Sequence, residues 1–246
     1  MGKLDGKIAI VAGSSRGIGK AIAKVYAAEG AKVAVVARTE SAGKLPGTIG
    51  ETAAEINGAG GVAVPVRCDI TLEADVQAMA QQVAEQLGPV DILCNSAAVI
   101  FYNSLVETTF KRWDLIFRVN VNGSFLMAQA VLPGMIERGG GNIIQLTSGG
   151  AIHVRKSGNA YGATKAALER YCFGLALEVK EHNIAVNCLD PGPVKSEGAL
   201  FSRGESADWT DWVDPMEVGP VALYLATQTA DTLTGQVVRR VEFSGT

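Results

Sequence analysis

The sequence predicts an α/β fold: a doubly wound parallel sheet of about seven strands, covered by helices on both faces as three αβα layers in a single domain. Three observations predict it. Short apolar runs of strand length alternate with longer helical patterns along the chain, the order that produces a parallel sheet. A glycine-rich turn joins the first run to the first helix. Polar residues suited to ligand chemistry follow successive runs, and in such sheets the carboxyl ends of the strands open onto one crevice.

The elements are read in order. Residues 7–12 (Lys-Ile-Ala-Ile-Val-Ala) form a continuous apolar run typical of a strand buried on both faces. Gly13-Ser14-Ser15-Arg16-Gly17-Ile18-Gly19 follows, and Ala21, Ile22, Val25 and Tyr26 then mark a helix packing back onto the sheet. Residues 32–37 are the second strand, and 39–50 a long polar connection expected to fold over a ligand. A helix beginning at 52–57 stops at Gly60-Gly61, and 62–67 is the third strand. A helix over 72–87 leads to a fourth strand at 91–94, and a long helix over about 109–136 contains Pro133, expected to end or kink it. Strands at 142–147 and 184–189 follow. A polar segment at about 196–214 is read as a small lid, and a helix at 215–227 and a strand at 236–241 complete the chain.

The spacing GxxxGxG at 13, 17 and 19 lets the backbone turn tightly and approach a ligand, while the following helix amino terminus offers free N–H groups to a pyrophosphate. In dinucleotide folds a carboxylate about 20 residues beyond the loop binds the ribose hydroxyls of NAD. Here Arg38 takes that place, and Arg16 supplies a second guanidinium, so a 2′-phosphate and NADP(H) are favoured over NAD(H). Glu40 nearby is the residue that would allow ribose binding instead. Asp69 either accepts from an adenine amino group or caps the next helix.

Tyr161 and Lys165 lie one helical turn apart, so a fixed cation stands close enough to stabilise the phenolate and lower its pKa. The pair is therefore a candidate for moving protons, with Ser148 at the end of the fifth strand.

The 246 residues carry a formal net charge of −3, without the dense basic stripe that a nucleic-acid surface requires. No nucleic-acid or membrane partner is expected. The amino terminus passes into its first strand too soon for a signal peptide, so a cytoplasmic location is expected. Cys68, Cys94, Cys172 and Cys188 show no metal or redox spacing and read as buried thiols; with only His153 and His182 besides, no metal site is expected.

With the glycine loop, Asp69, Asn95-Ser96-Ala97-Ala98, Asn120, Ser148, Tyr161-Gly162-Ala163-Thr164-Lys165 and Pro191-Gly192 in order, the chain resembles the short-chain dehydrogenase/reductase family over essentially its whole length. The resemblance implies a Rossmann-type fold. It implies that Tyr161 is the proton donor or acceptor, that Lys165 lowers its pKa and binds the nicotinamide ribose, that Ser148 polarises the substrate oxygen, and that Asn120 holds a water for proton relay at a break in its helix. It also implies cofactor contacts from Gly13, Ser15, Arg16, Gly17, Ile18, Gly19, Arg38, Asp69, Ile70, Asn95, Ala97, Pro191, Gly192, Val194 and Ser196, besides Tyr161 and Lys165. Two-fold pairing through the 103–138 region and the helix after Tyr161 would give a homodimer or homotetramer.

Three departures stand out: Ser96 and Ala98 in the turn after the fourth strand, Ser196 where the family commonly has Thr, and a carboxyl terminus without the usual Asp-Gly-Gly. The longer loop around residues 45–49 is similar to that of hydroxysteroid-dehydrogenase-like proteins. His153, Val154 and Asn159 are expected to flank a small-molecule carbonyl or alcohol substrate, with Phe201, Trp209 and Trp212 as an apolar lid above it, a pattern that leans toward a medium-sized, apolar ketone. The implied activity is NADP(H)-dependent interconversion of a carbonyl and an alcohol. Alternatives are reduction of β-ketoacyl groups on a carrier protein, for which Arg155 and Lys156 are the nearby basic residues, and a catalytically silent nucleotide-binding protein on the same fold.

Overall fold

Seven apolar runs form strands: β1 (Ile8–Ala12), β2 (Lys32–Ala37), β3 (Val62–Arg67), β4 (Ile92–Asn95), β5 (Gly141–Leu146), β6 (Ile184–Asp190) and β7 (Val237–Arg239). All pair in parallel in one sheet, in the order β3-β2-β1-β4-β5-β6-β7. The chain runs outward from β1 to one edge and then restarts at β4 beside β1, so the crevice lies at the β1/β4 junction. The computed structural model describes residues 2–41, 43–204 and 206–244, and the parts of the expectations that fall on Ala42, Glu205 and Gly245 lie outside the described residues.

Alternating side chains feed two cores. Ile10, Leu93, Ile143 and Val186 pack on one face, and their neighbours Val11, Cys94, Ile144 and Leu189 on the other. A strand buried on both faces needs such a continuous apolar run. All four cysteines are free and buried among these residues.

The helices are α1 (Gly17–Ala28), α2 (Ile49–Gly58), α3 (Glu73–Gln86), α4 (Phe110–Phe117), α5 (Gly123–Arg138), α6 (Asn159–Glu178), α7 (Glu197–Arg203) and α8 (Gly219–Ala226). Three boundaries differ from the sequence reading. α2 begins before Thr52, because Thr48 caps it: its hydroxyl accepts from Glu51 N at 3.1 Å, and Glu51 in turn accepts from Thr48 N at 2.8 Å. Pro133 does not end its helix, since α5 continues to Arg138 and stops at Gly139 in the left-handed region. The break that the resemblance implies at Asn120 is present, as a π-helical segment over Arg118–Asn122 between α4 and α5. The last strand is shorter than expected and passes into a 3₁₀ turn at Arg240–Glu242.

The run Phe110–Arg138 is long and apolar enough to cross a bilayer by length and composition. Here its inner face, Met127, Ala128, Val131 and Met135, is fully committed to the core.

Candidate active site

The glycine loop opens a groove at the β1/β4 junction. Gly13 and Gly17 have φ of 77° and 56°, which side chains rarely adopt. A Cβ on Gly13 would lie 2.7 Å from the backbone of Ala97, so the loop and the turn after β4 close on each other only because residue 13 is glycine. The groove is lined by Gly13, Ser15–Gly19, Arg38, Asp69, Ile70, Ser96–Val99 and Ser196. Arg16 stands at the N-cap of α1 without a side-chain cap, and the first turn holds no acidic residue. Its N–H groups therefore face the groove free to bind an anion, and a dinucleotide pyrophosphate fits this donor set.

At the far end of the groove Arg38 lies 3.6 Å from Asp69, its side chain 58% exposed. Burial pushes the Asp69 carboxyl up, but hydrogen bonds from Thr71 and the Arg38 charge more than offset it and hold the group below the usual range. Asp69 accepts from the Thr71 N–H and hydroxyl and so shapes the turn before α3; it is not that helix's N-cap, which is Leu72. Glu40 is drawn away toward Arg67, 3.4 Å from it. Arg16 does not reach outward as expected: its guanidinium donates to the Pro46 and Gly47 carbonyls, both at 2.8 Å. It thereby folds the long loop against the glycine turn, and Leu45 of that loop lines the groove.

β5 delivers Ser148 and the first turn of α6 delivers Tyr161 into one cavity, together with Tyr102, His153, Val154, Arg155 and Asn159. Tyr161 lines that cavity and is half-buried. Burial pushes its pKa above the tyrosine range, the Ser148 hydroxyl offsets part of this, and Tyr102 and Asp190 add to the rise. Lys165, one turn on, is 3% exposed; its Nζ lies 5.6 Å from the Tyr161 ring centroid and donates to the Leu146 carbonyl at 2.6 Å. Burial lowers its pKa to about 8. The expected depression of the tyrosine by the lysine is therefore not what this geometry produces: the ammonium is aimed at a carbonyl, and desolvation dominates both groups. At neutral pH the pair holds a phenol proton beside a buried cation, an arrangement able to give a proton to an oxygen held by Ser148.

Asn120 sits inside the π-helical segment. Its side chain accepts from Val99 N at 2.8 Å and donates to Val99 O and to Thr164 Oγ1, tying the segment to the turn after β4 and to α6. Its backbone carbonyl accepts from the Ser124 hydroxyl at 2.9 Å.

Residues 7–204 match the short chain dehydrogenase family. The chain belongs to that family. Among relatives of this short-chain dehydrogenase, a short chain dehydrogenase of Pseudocercospora fijiensis is 38% identical over 198 residues, 80% of this chain and 62% of that protein, less than two thirds of its length. D-threitol dehydrogenase of Mycolicibacterium smegmatis is 35% identical over 242 residues, 95% of this chain and 90% of that one. Among solved structures, a gluconate 5-dehydrogenase from Burkholderia cenocepacia in complex with NADP and tartrate superposes with a TM-score of 0.84 at 30% identity, covering 96% of this chain and 94% of that one. As a member of the family the protein is an NAD(P)-dependent oxidoreductase acting on CH–OH groups and carbonyls.

Several expected contact residues of this short-chain dehydrogenase also hold the fold or lie at the edge of the site. Asn95 is buried and donates to Ser124 while accepting from Ala97 N, so it shapes the turn from beneath. Val194 is buried in the core and bridges to Val213. Gly192 borders the substrate side, beside a second opening lined by Ser148, His153, Asp190, Arg203, Trp212 and Arg239. Ser196 caps α7 through Ala199 N. Phe201 is turned outward, 66% exposed, because the short α7 cannot cover both faces. Trp209 packs edge-on against Trp212, ring centroids 4.9 Å apart, and Trp212 is the one facing the cavity. Sequence reasoning missed Tyr102 and Asp190. The signal for Asp190 was available: a carboxylate ending an otherwise apolar strand, directly before Pro191-Gly192.

Proposed function

We propose that the protein is an NADP(H)-dependent oxidoreductase that interconverts a small ketone or aldehyde with its alcohol, using Tyr161 as general acid in reduction and general base in oxidation. The observation that carries this reading is the meeting of Ser148 and Tyr161 in one cavity, with Lys165 a turn away and the donor-lined glycine groove alongside. The nicotinamide cofactor, when bound, supplies the hydride in reduction and accepts it in oxidation. Gly13–Gly19 and the α1 amino terminus hold its pyrophosphate, and Arg38 its 2′-phosphate. Ser148 donates to the reacting oxygen, Tyr161 transfers its proton as charge grows there, and the buried Lys165 ammonium favours that charge. Asn120 is a positioning residue that fixes the helix break between the two halves of the site.

A panel of ketones and aldehydes with NADPH and with NADH tests the reading; cofactor binding without turnover of any of them contradicts it. The NADP assignment has its own test. Arg38→Ala removes a half-exposed guanidinium and should weaken NADPH at least about tenfold while leaving NADH nearly unchanged, because only NADPH carries the phosphate. Arg16→Ala also frees the loop it holds and should weaken both. Equal losses for both cofactors in Arg38→Ala would sink the assignment.

A further inference from the structure

Asp190 is a carboxylate that the mechanism above does not use. It ends β6, is 6% exposed, and borders the cavity opening together with Tyr102, Ser148 and His153. Its Oδ1 accepts from Gly192 N at 3.0 Å and forms the turn at Pro191-Gly192. Its Oδ2 lies on the cavity side, 3.6 Å from where a side chain on Gly149 would begin. Among the described residues no ion pair includes it. Arg239, its register partner on β7, is 3.6 Å from Glu242 instead. Arg240 donates to the Pro191 carbonyl and Lys165 to that of Leu146.

A carboxylate buried this deeply is costly unless donors satisfy it. This one also stands where its charge opposes phenolate formation at Tyr161 and favours the buried Lys165 ammonium through space, although neither bonds to it. The turn alone needs only Oδ1, which an asparagine carbonyl would supply equally well. The second oxygen is thus left for a donor that arrives in the cavity. Three guanidiniums, Arg155, Arg203 and Arg239, line the same opening against one further carboxylate, Glu242, so a cationic donor is disfavoured and a hydroxyl is the matching group.

We propose that Asp190 determines specificity by accepting a hydrogen bond from a substrate hydroxyl close to the reacting carbon, so that hydroxyketones and the corresponding diols or polyols are preferred over simple ketones and alcohols. The inference rests on the oxidoreductase reading above. A site built to hydrogen-bond a hydroxyl rejects the analogue that lacks it, because its own buried group is then left unpaired.

The test compares kcat/KM for 1-hydroxy-2-butanone, 4-hydroxy-2-butanone and 2-butanone with NADPH, in the parent protein and in Asp190→Asn and Asp190→Ala. The parent should prefer one of the hydroxyketones over 2-butanone by at least about tenfold, and both variants should bring that ratio to within about threefold of one. Asp190→Asn keeps the acceptor for Gly192 and decides the matter if Asp190→Ala does not fold. A parent that reduces 2-butanone as well as the hydroxyketones, or variants that keep the preference, would overturn the inference and leave the oxidoreductase reading standing. If dimethylaminoacetone is the ketone whose preference depends on Asp190, the group recognised is a cation and the proposal is wrong. A parent that binds NADPH and reduces no ketone removes the oxidoreductase reading, and the inference goes with it.

Discussion

Burial sets the chemistry of the two central side chains. It raises the Tyr161 phenol above its usual range and lowers the Lys165 ammonium to about 8. The sign follows directly: below about 8 Lys165 is charged and supports developing negative charge on the substrate oxygen, and above it that support is lost while Tyr161 still holds its proton. Ketone reduction should therefore fall as pH rises through about 8, and Lys165→Arg, with a guanidinium that stays charged, should move that limb upward. A profile flat from about pH 7 to about 9.5 in the parent would contradict the assignment. Tyr161, Lys165 and Ser148 were legible in the sequence because they belong to an ordered series of motifs. The direction of the tyrosine shift was not, since spacing along a helix reports proximity but not how much water each group loses. Arg16 shows the same limit. Its place in the glycine loop suggested a phosphate contact, whereas its guanidinium is held by the Pro46 and Gly47 carbonyls, thirty or so positions on, a contact no local pattern announces.

Elements were legible where periodicity is strong and less so where side chains set boundaries. Every strand from β1 to β6 falls within a residue or so of its apolar run, because apolar side chains dominate each run even where it holds a buried polar one such as Gln145 or Asn187, and only the edge strand β3 alternates between buried and exposed positions. The start of α2 was misread, although Thr48 and Glu51 carry the capping-box spacing. That box also anchors the long loop, since Ile49 N donates to Thr39 O at 3.0 Å and closes it. Thr48→Ala should cost about 0.5–2 kcal/mol. Thermal unfolding should then fall by about 2–4 °C for each kcal/mol, and the loop should become more open to proteolysis. An unchanged melting temperature would show that the cap contributes nothing. The π-helical segment was not derivable from periodicity, because it is fixed by Asn120 bonding across to Val99 and Thr164 on other elements.

At the scale of the whole molecule, apolar side chains remain uncovered on the outer faces beyond β4 and along α6: Val106, Phe110 and Leu177 are 98%, 81% and 80% exposed. We propose that these faces pair with a second copy, giving a dimer or tetramer, and light scattering at micromolar concentration should find no monomer. A monomer would leave the patch without the explanation offered. The larger claim is that the sheet's carboxyl end brings a hydride-transfer cofactor and a tyrosine acid to one carbonyl. It is tested most directly by single-turnover hydride transfer in Tyr161→Phe, with a ketone that the parent protein reduces. The ring and the cavity wall are kept and only the proton is lost, so NADPH binding should be nearly unchanged while the rate falls by at least about 10²-fold. A fall of less than about tenfold would mean that Tyr161 is not the acid and that the site works differently.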